Sequence, residues 1–313
     1  METQVIKEEI KKSYGAIAKN DIQAGCCSTD SGCCGTEELG NSMMAENYEN
    51  IKGYEKASDM SLGCGLPTEI ANIKEGDTVI DLGAGAGNDA FIARRLVGLT
   101  GKVIGVDMTP EMVIRALQNN QKLGYKNVEF VLGEIESMNG IATNTADVVI
   151  SNCVMNLIPD KERAFSVVHR VLKVGGHFSI SDIVSIGKLP AAILEAAEMH
   201  SGCVAGASEK GAYLGIIKSV GFKNIQIKKE RRIELPDELL LKYVSPEELS
   251  AFRKTDAGIY SITLYAEKLE EGACCDSTGS GCCGGEEVAT TSKVEEVSCC
   301  GTVSGGSNSS CCS

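Results

Sequence analysis

The hydrophobic rhythm of the chain changes near residue 60. Before it, Ile6, Ile10, Tyr14 and Ile17 recur at helical spacing, which predicts an amphipathic helix over residues 2–19. Beyond it, short apolar runs alternate with helix-period segments. "DTVIDLG" (77–83) and "KVIGVDM" (102–108) read as buried strands. "TPEMVIRALQNNQKLG" (109–124) reads as a helix, with Thr109 as N-cap, Pro110 at its first position and Gly124 at its end. "VEFVLGE", "ADVVISNC" and "GHFSISDIV" are the next three strands, with the helix "DKERAFSVVHRVL" between the last two. Helical stretches at about 190–201 and 208–220 precede two strand-like runs, "FKNIQIKKERRIEL" and "GIYSITLYAEKL". Alternation of this kind predicts an α/β fold, a mostly parallel sheet with helices on both faces, closed by an antiparallel hairpin. From about Glu271 the periodicity stops and Gly, Ser, Thr, Glu and Cys take over, which predicts a disordered tail. Three regions follow: an N-terminal helical segment (1–60), the α/β domain (61–270) and the tail (271–313).

Composition narrows the function. A net charge of −13, no Trp and 4% aromatic residues leave neither a basic field nor a stacking platform for nucleic acid. No apolar run approaches membrane-spanning length, and "METQVIKEEIKKSYG" is too charged for a signal peptide, so a cytoplasmic protein with no membrane partner is expected. In that reducing setting fifteen cysteines point to soft-element binding or thiol chemistry rather than a disulfide framework. They fall into two sets. Twelve form six adjacent pairs in the end segments, as in "GCCSTDSGCCG" (25–35) and "ACCDSTGSGCCGG" (273–285). Cys64, Cys153 and Cys203 stand alone in the central region.

"DLGAGAGND" (81–89) follows the first strand and opens a helix. Its glycines at 83, 85 and 87 let the backbone turn sharply and approach a ligand at the helix N-terminus. The spacing departs from the dinucleotide fingerprint, and no Lys-Ser/Thr completes a P-loop. Asp107 ends the second strand, where an acid can accept hydrogen bonds from both ribose hydroxyls of a nucleoside. An ordinary strand-to-helix turn would need neither feature, so together they favour a nucleoside cofactor. Cys153 ends the fourth strand, the edge at which open parallel sheets bind ligands. Taken alone, any of the three lone cysteines reads as a small buried hydrophobe.

The glycine loop and Asp107 resemble the class I S-adenosylmethionine-dependent methyltransferases. That resemblance implies a Rossmann-like sheet of order 3-2-1-4-5-7-6 with strand 7 antiparallel. It implies a cofactor site at Asp81, Gly83, Gly85, Gly87, Asp107, Met108 and Asn152, with Ile135 and Glu136 of "GEIES" flanking the adenine. Over roughly residues 60–225, "LGCGLP", "VDMTPEMV", "SNCVMNLIPDKERAFSVVHRVLKVGG" and "HSGCVAGA" resemble the arsenite methyltransferases more narrowly. By position Cys64, Cys153 and Cys203 match that family's arsenic-binding thiols, and Cys26 best matches its N-terminal redox thiol, with Cys27, Cys33 and Cys34 as alternatives. Two departures stand out. Leu62 occupies a position where eukaryotic members carry Tyr, and a cysteine-studded tail replaces their larger C-terminal domain.

The resemblance implies transfer of a methyl group from S-adenosylmethionine to thiol-bound trivalent arsenic. Thiolates suit this soft centre, and three of them leave its lone pair free. No general base is needed, which fits three histidines in unremarkable places: His169 on a helix, His177 after Gly-Gly and His200 near Cys203. A pair of thiols, Cys26 with Cys64, would return two electrons to arsenic, and a thioredoxin- or glutathione-type reductant would reopen the disulfide. Two other classes compete: a thiol-rich soft-metal-binding protein on the same fold, and a methyltransferase for a small carbon or nitrogen nucleophile.

Overall fold

The computed structural model describes residues 2–23, 46–191, 193 and 206–270. The chain divides into two compact units, Met1–Glu271 and Gly272–Ser313; the second, with the expected tail, lies outside the described residues.

Seven strands form one continuous path: β1 (Thr78–Leu82), β2 (Lys102–Asp107), β3 (Val128–Leu132), β4 (Ala146–Asn152), β5 (Leu172–Ile186), β6 (Lys223–Arg232) and β7 (Gly258–Glu267). Their spatial order is 3-2-1-4-5-7-6, and a two-residue strand, Ser208–Glu209, adds to β5 off this path. β1 to β5 pair in parallel, while β7 runs antiparallel to both β5 and β6. This is the Rossmann-like sheet that the alternation and the resemblance imply. The two last strands pair as expected, but two short helices, Asp237–Leu240 and Pro246–Arg253, interrupt their connection. The second begins with a capping box between Ser245 and Glu248.

Alternation along the buried strands sends successive side chains to opposite faces. Val79 and Val103 pack with Phe91 and Val97 of one helix layer. Ile80, Leu82, Ile104 and Val106 pack on the other face with Phe165, Val168 and Tyr213. Helices α1 (Glu2–Gln23) and α2 (Pro67–Ile70) precede the sheet, and α3 (Asn88–Val97), α4 (Pro110–Leu123), α5 (Lys161–Val171) and α6 (Lys210–Ser219) lie between its strands. Pro110 and Gly124 bound α4 as expected, with Gly124 at φ 70°. Thr109 departs from expectation. Its side chain makes no capping hydrogen bond to the helix and is spent on Asp107 instead.

α1 also differs from its sequence reading. Ile6 is 40% exposed, whereas Lys7 is only 9% exposed. The cause is electrostatic: Lys7 Nζ lies 2.8 Å from carboxylates of both Glu134 and Glu136, so the helix turns its lysine inward. Lys19–Glu111 and the Arg115 bond to the Ala18 carbonyl tie the same helix to α4.

Candidate functional site

A cavity opens at the carboxyl ends of β1, β2 and β4. Such an edge is where parallel α/β sheets hold ligands. Its floor is the turn between β1 and α3. Gly83 N–H and Ala84 N–H both donate to the Val106 carbonyl, at 2.7 and 3.1 Å, which folds the turn onto β2. Gly83 has φ +66°, and a Cβ there would overlap Val154. Gly85, at φ +52°, has nothing within 4 Å of where its Cβ would stand, so its backbone faces open space. A ligand can therefore approach the peptide directly. Gly87, in contrast, does not line the cavity; it caps α3 at φ 99° and packs under Phe91 and Phe130.

Asp107 stands at the end of β2, where its carboxylate accepts from Gly85 N–H at 2.9 Å and Thr109 N–H at 2.8 Å and is bonded by the Thr109 side chain as well. Its remaining acceptor capacity is available to ligand hydroxyls. Burial raises its pKa, and the Thr109 and Gly85 bonds oppose that rise. Asp81 is 2% exposed, and its Oδ2 has no hydrogen-bond partner among the described residues. Burial first, then the charges of Asp89 and Asp107, push its pKa well up. An acid in that condition suits a cationic ligand, whose charge would offset the cost of ionising it. Met108, Ile135, Glu136 and Asn152 also line the cavity, with Glu136 held by Lys7. Leu62 lines it too, as do Ile10 and Tyr14 of α1.

The thiols meet at the adjoining wall. Cys153 follows β4 in the left-handed region, at φ 61°, a conformation that a non-glycine residue adopts at a cost of about 1–3 kcal/mol. Its N–H donates to the Ser181 carbonyl at 2.8 Å. Cys64 sits in the turn before α2, and its sulfur is bonded to that of Cys153, with Cα atoms 5.7 Å apart. Cys64 is fully buried and Cys153 is 4% exposed, in an apolar cluster with Ile183, Ile193, Ile233 and Leu235. Only Cys153 of the two also borders the cavity. Among the described residues no third Cys, His, Asp or Glu joins a metal-holding group. Cys26, its neighbours Cys27, Cys33 and Cys34, Cys203 and His200 lie outside the described residues. The Cys64–Cys153 bond differs from the expected Cys26–Cys64 pairing, whose other partner is among them.

The two described histidines have structural partners. His177 Nε2 lies 2.6 Å from the Ala71 carbonyl, and His169 meets Phe222 edge-on. Two site residues escaped sequence reading. Asp89 lay unremarked at the end of the quoted glycine motif, and Tyr48 in "ENYEN" carries no local signal. Both line the cavity and are nearly buried, at 8% and 4% exposure.

Sheet order, glycine turn and strand-end acid define a class of fold, the nucleoside-cofactor methyltransferases. Residues 73–229 match the family model described as a methyltransferase domain, half of the chain, and the chain belongs to that family. Among its relatives are arsenite methyltransferases. That of Halobacterium salinarum is 40% identical over 230 residues, 71% of this chain and 58% of the relative. That of Mus musculus is 33% identical over 229 residues, 69% of this chain and 58% of the relative. The chain thus spans just under three-fifths of each. A solved structure, the arsenic(III) S-adenosylmethionine methyltransferase of Chlamydomonas reinhardtii, is 38% identical, with a TM-score of 0.56. The match covers 66% of this chain and 68% of that one.

Proposed function

We propose that this chain transfers the methyl group of S-adenosylmethionine to trivalent arsenic held on its lone thiols. The observation that carries the reading is the meeting of Cys64 and Cys153 at the wall of the cavity that Gly85 and Asp107 frame. Two soft ligands side by side, one bordering a nucleoside-shaped cradle, are what arsenic methylation requires. The arsenite methyltransferase relatives support it.

The cofactor fits the residues present. Asp107 would take the ribose hydroxyls, the Gly83–Gly85 backbone would lie against the ligand, and the orphaned Asp81 oxygen would face its positive charge. Ile135 and Glu136 would flank the adenine, with Met108 and Asn152 completing the site. S-adenosylmethionine, once bound, would supply an activated methyl on its sulfonium sulfur, open to attack by the arsenic lone pair. The protein's part is to hold arsenic on Cys64, Cys153 and Cys203 and to exclude water. The apolar cluster around the first two serves that end. The Cys64–Cys153 disulfide must open before arsenic can bind, so a thioredoxin- or glutathione-type reductant is part of the scheme. Methyl transfer formally removes two electrons from arsenic. Cys26 and Cys64 return them by closing a disulfide with loss of two protons, and the reductant reopens it.

Residues 61–270 would form the methyltransferase domain, with 1–60 as its N-terminal helical segment and 271–313 as a cysteine-paired tail, in a cytoplasmic protein that detoxifies arsenic. Among the described residues no helix is long and apolar enough to cross a membrane. The test is to incubate the protein with arsenite, glutathione and methyl-labelled S-adenosylmethionine and to resolve the arsenic species. Label on mono- and dimethylated arsenic is expected. Arsenic bound without methylated product would favour the soft-metal-binding reading and overturn this one.

A further inference from the structure

Cys64 lies in a turn with no regular secondary structure, so no strand ladder or helix fixes its sulfur. Something else must. Asn152 Oδ1 accepts the N–H groups of Cys64, at 3.0 Å, and Gly65, at 3.2 Å, while Asn152 Nδ2 donates to the Gly65 carbonyl at 2.8 Å. One side chain thereby grips the backbone of Cys64 from the residue that immediately precedes Cys153. The turn seats closely: a Cβ at Gly63 would come within 2.6 Å of Asn152 Nδ2, and one at Gly65 within 2.5 Å of Ser181 Oγ. This explains the glycine on each side of Cys64. Ser261 Oγ binds the Cys64 carbonyl at 2.6 Å from the far side.

The grip works only if the amide faces the right way, with its oxygen toward the two N–H groups. Asp89 fixes this, because its carboxylate accepts from Asn152 Nδ2 at 3.1 Å and would repel the amide oxygen in the flipped orientation. Tyr48 completes the lock. Its hydroxyl stands 3.1 Å from Asp89 Oδ2 and 2.9 Å from the Gly65 carbonyl, and it accepts from Asn152 Nδ2. The ring is held by its stack on Tyr54 and by Leu66 and Ile92.

We propose that Tyr48 and Asp89 are positioning residues, which orient the Asn152 amide so that Cys64 is presented to Cys153. The inference rests on Cys64 and Cys153 acting as substrate thiols, but its geometric content does not. Neither residue touches the reacting atoms in this scheme. Their effect passes through Asn152 to the separation of two sulfurs, and so to the affinity of any soft ion that bridges them.

The test measures closure of the pair directly. Full-length protein is reduced, freed of reductant and treated with limiting diamide, which takes up the two thiol hydrogens as the disulfide forms. Tryptic mapping then reads the bond, since the peptides bearing Cys64 and Cys153 contain no other cysteine. Tyr48→Phe and Asp89→Asn should each lower the rate of Cys64–Cys153 closure by roughly tenfold, as expected for losing a hydrogen bond to a charged or buried partner. Apparent KM for arsenite should rise more than kcat falls. Phe165→Leu, in the core on another face, controls for lost stability and should leave the closure rate unchanged. Tyr48→Phe removes a single oxygen and keeps the packed ring, so it remains informative if Asp89→Asn fails to fold. Wild-type closure rates in Tyr48→Phe would overturn the proposal. Loss of arsenic methylation in the wild type itself would overturn the proposed function and leave the closure measurement standing.

Discussion

The cofactor side of the cavity is made largely of backbone, and the thiol side of side chains brought from distant places. On the first, Gly83, Gly85 and the residues around Asp107 come from two adjacent strand ends, joined by main-chain bonds of the turn and by main-chain N–H groups that donate to the Asp107 carboxylate. On the second, Cys64, Cys153, Asn152, Asp89, Tyr48 and Ser261 derive from separate segments joined through side chains. The first side is polar and anionic, with Asp81 and Asp107 together; the second buries its sulfurs among Ile183, Ile193 and Ile233. Such a division suits two ligands of opposite character, a cationic nucleoside and a soft neutral centre. It also means that the two sides should fail separately.

The largest separation is expected at the thiols. Cys153→Ser and Cys203→Ser should abolish methylation of both arsenite and monomethylarsenite while calorimetric S-adenosylmethionine affinity stays unchanged. Cys64→Ser and Cys26→Ser should abolish the first methylation but spare the second, since methylated arsenic needs only two sulfurs. Equal loss on both substrates in all four variants would dissolve this assignment.

Asp107→Ala attacks the other side. Losing hydrogen bonds to a charged group should cost about 1.5–3 kcal/mol of cofactor affinity each, at least tenfold, with arsenite binding nearly intact. Unchanged affinity by calorimetry would remove Asp107 from the site.

A smaller effect concerns buried acids on the two sides. Burial lifts Asp89 to about 6 and Asp182, which lies one residue beyond the Ser181 contact of Cys153, to about 7. Tyr213 and the Ile183 N–H bond Asp182, and Lys161 faces it. Both acids have folded values above the ordinary 3.8, so the folded state holds protons that the unfolded chain releases. Their contribution is fully present below that ordinary value and is lost as pH rises through about 6 and about 7. Thermal stability of the ligand-free protein should therefore increase on acidification through this window, and Asp182→Asn should flatten the upper part. A melting curve indifferent to pH there would contradict the burial of these charges.

The smallest effect is expected outside both walls. A chain ending at Leu269 should fold, because β7 and the Lys268 bonds to Gly176 and Leu172 are retained. Cofactor affinity and kcat should hold. If the tail pairs gather arsenite, apparent KM alone should rise. A collapse in kcat would mean that the tail supplies catalytic or redox thiols.

This contrast between the two sides matches what could be read in advance. Strand-period runs and the turn "DLGAGAGND" are local signals, so the strands and the glycine turn were legible, while the sheet order followed from the resemblance. Asp89 sat inside that motif but drew no role, because its partners, Tyr48 and Asn152, are 41 and 63 residues away. On α1 the apolar spacing holds for Ile10 and Tyr14, which face the cavity, but not for Ile6, because spacing cannot register a lysine, Lys7, drawn inward by two acids. The Ser245–Glu248 capping box was a readable signal that went unread, and with it the helix between β6 and β7.

The central claim is that methyl transfer occurs to arsenic on the lone thiols rather than on the paired cysteines. It is tested most directly by replacing Cys64, Cys153 and Cys203 with Ser together while leaving the twelve paired cysteines in place. With arsenite, glutathione and labelled S-adenosylmethionine, this chain should still bind cofactor and form no methylated arsenic. Methylated arsenic appearing at the wild-type rate would contradict the account.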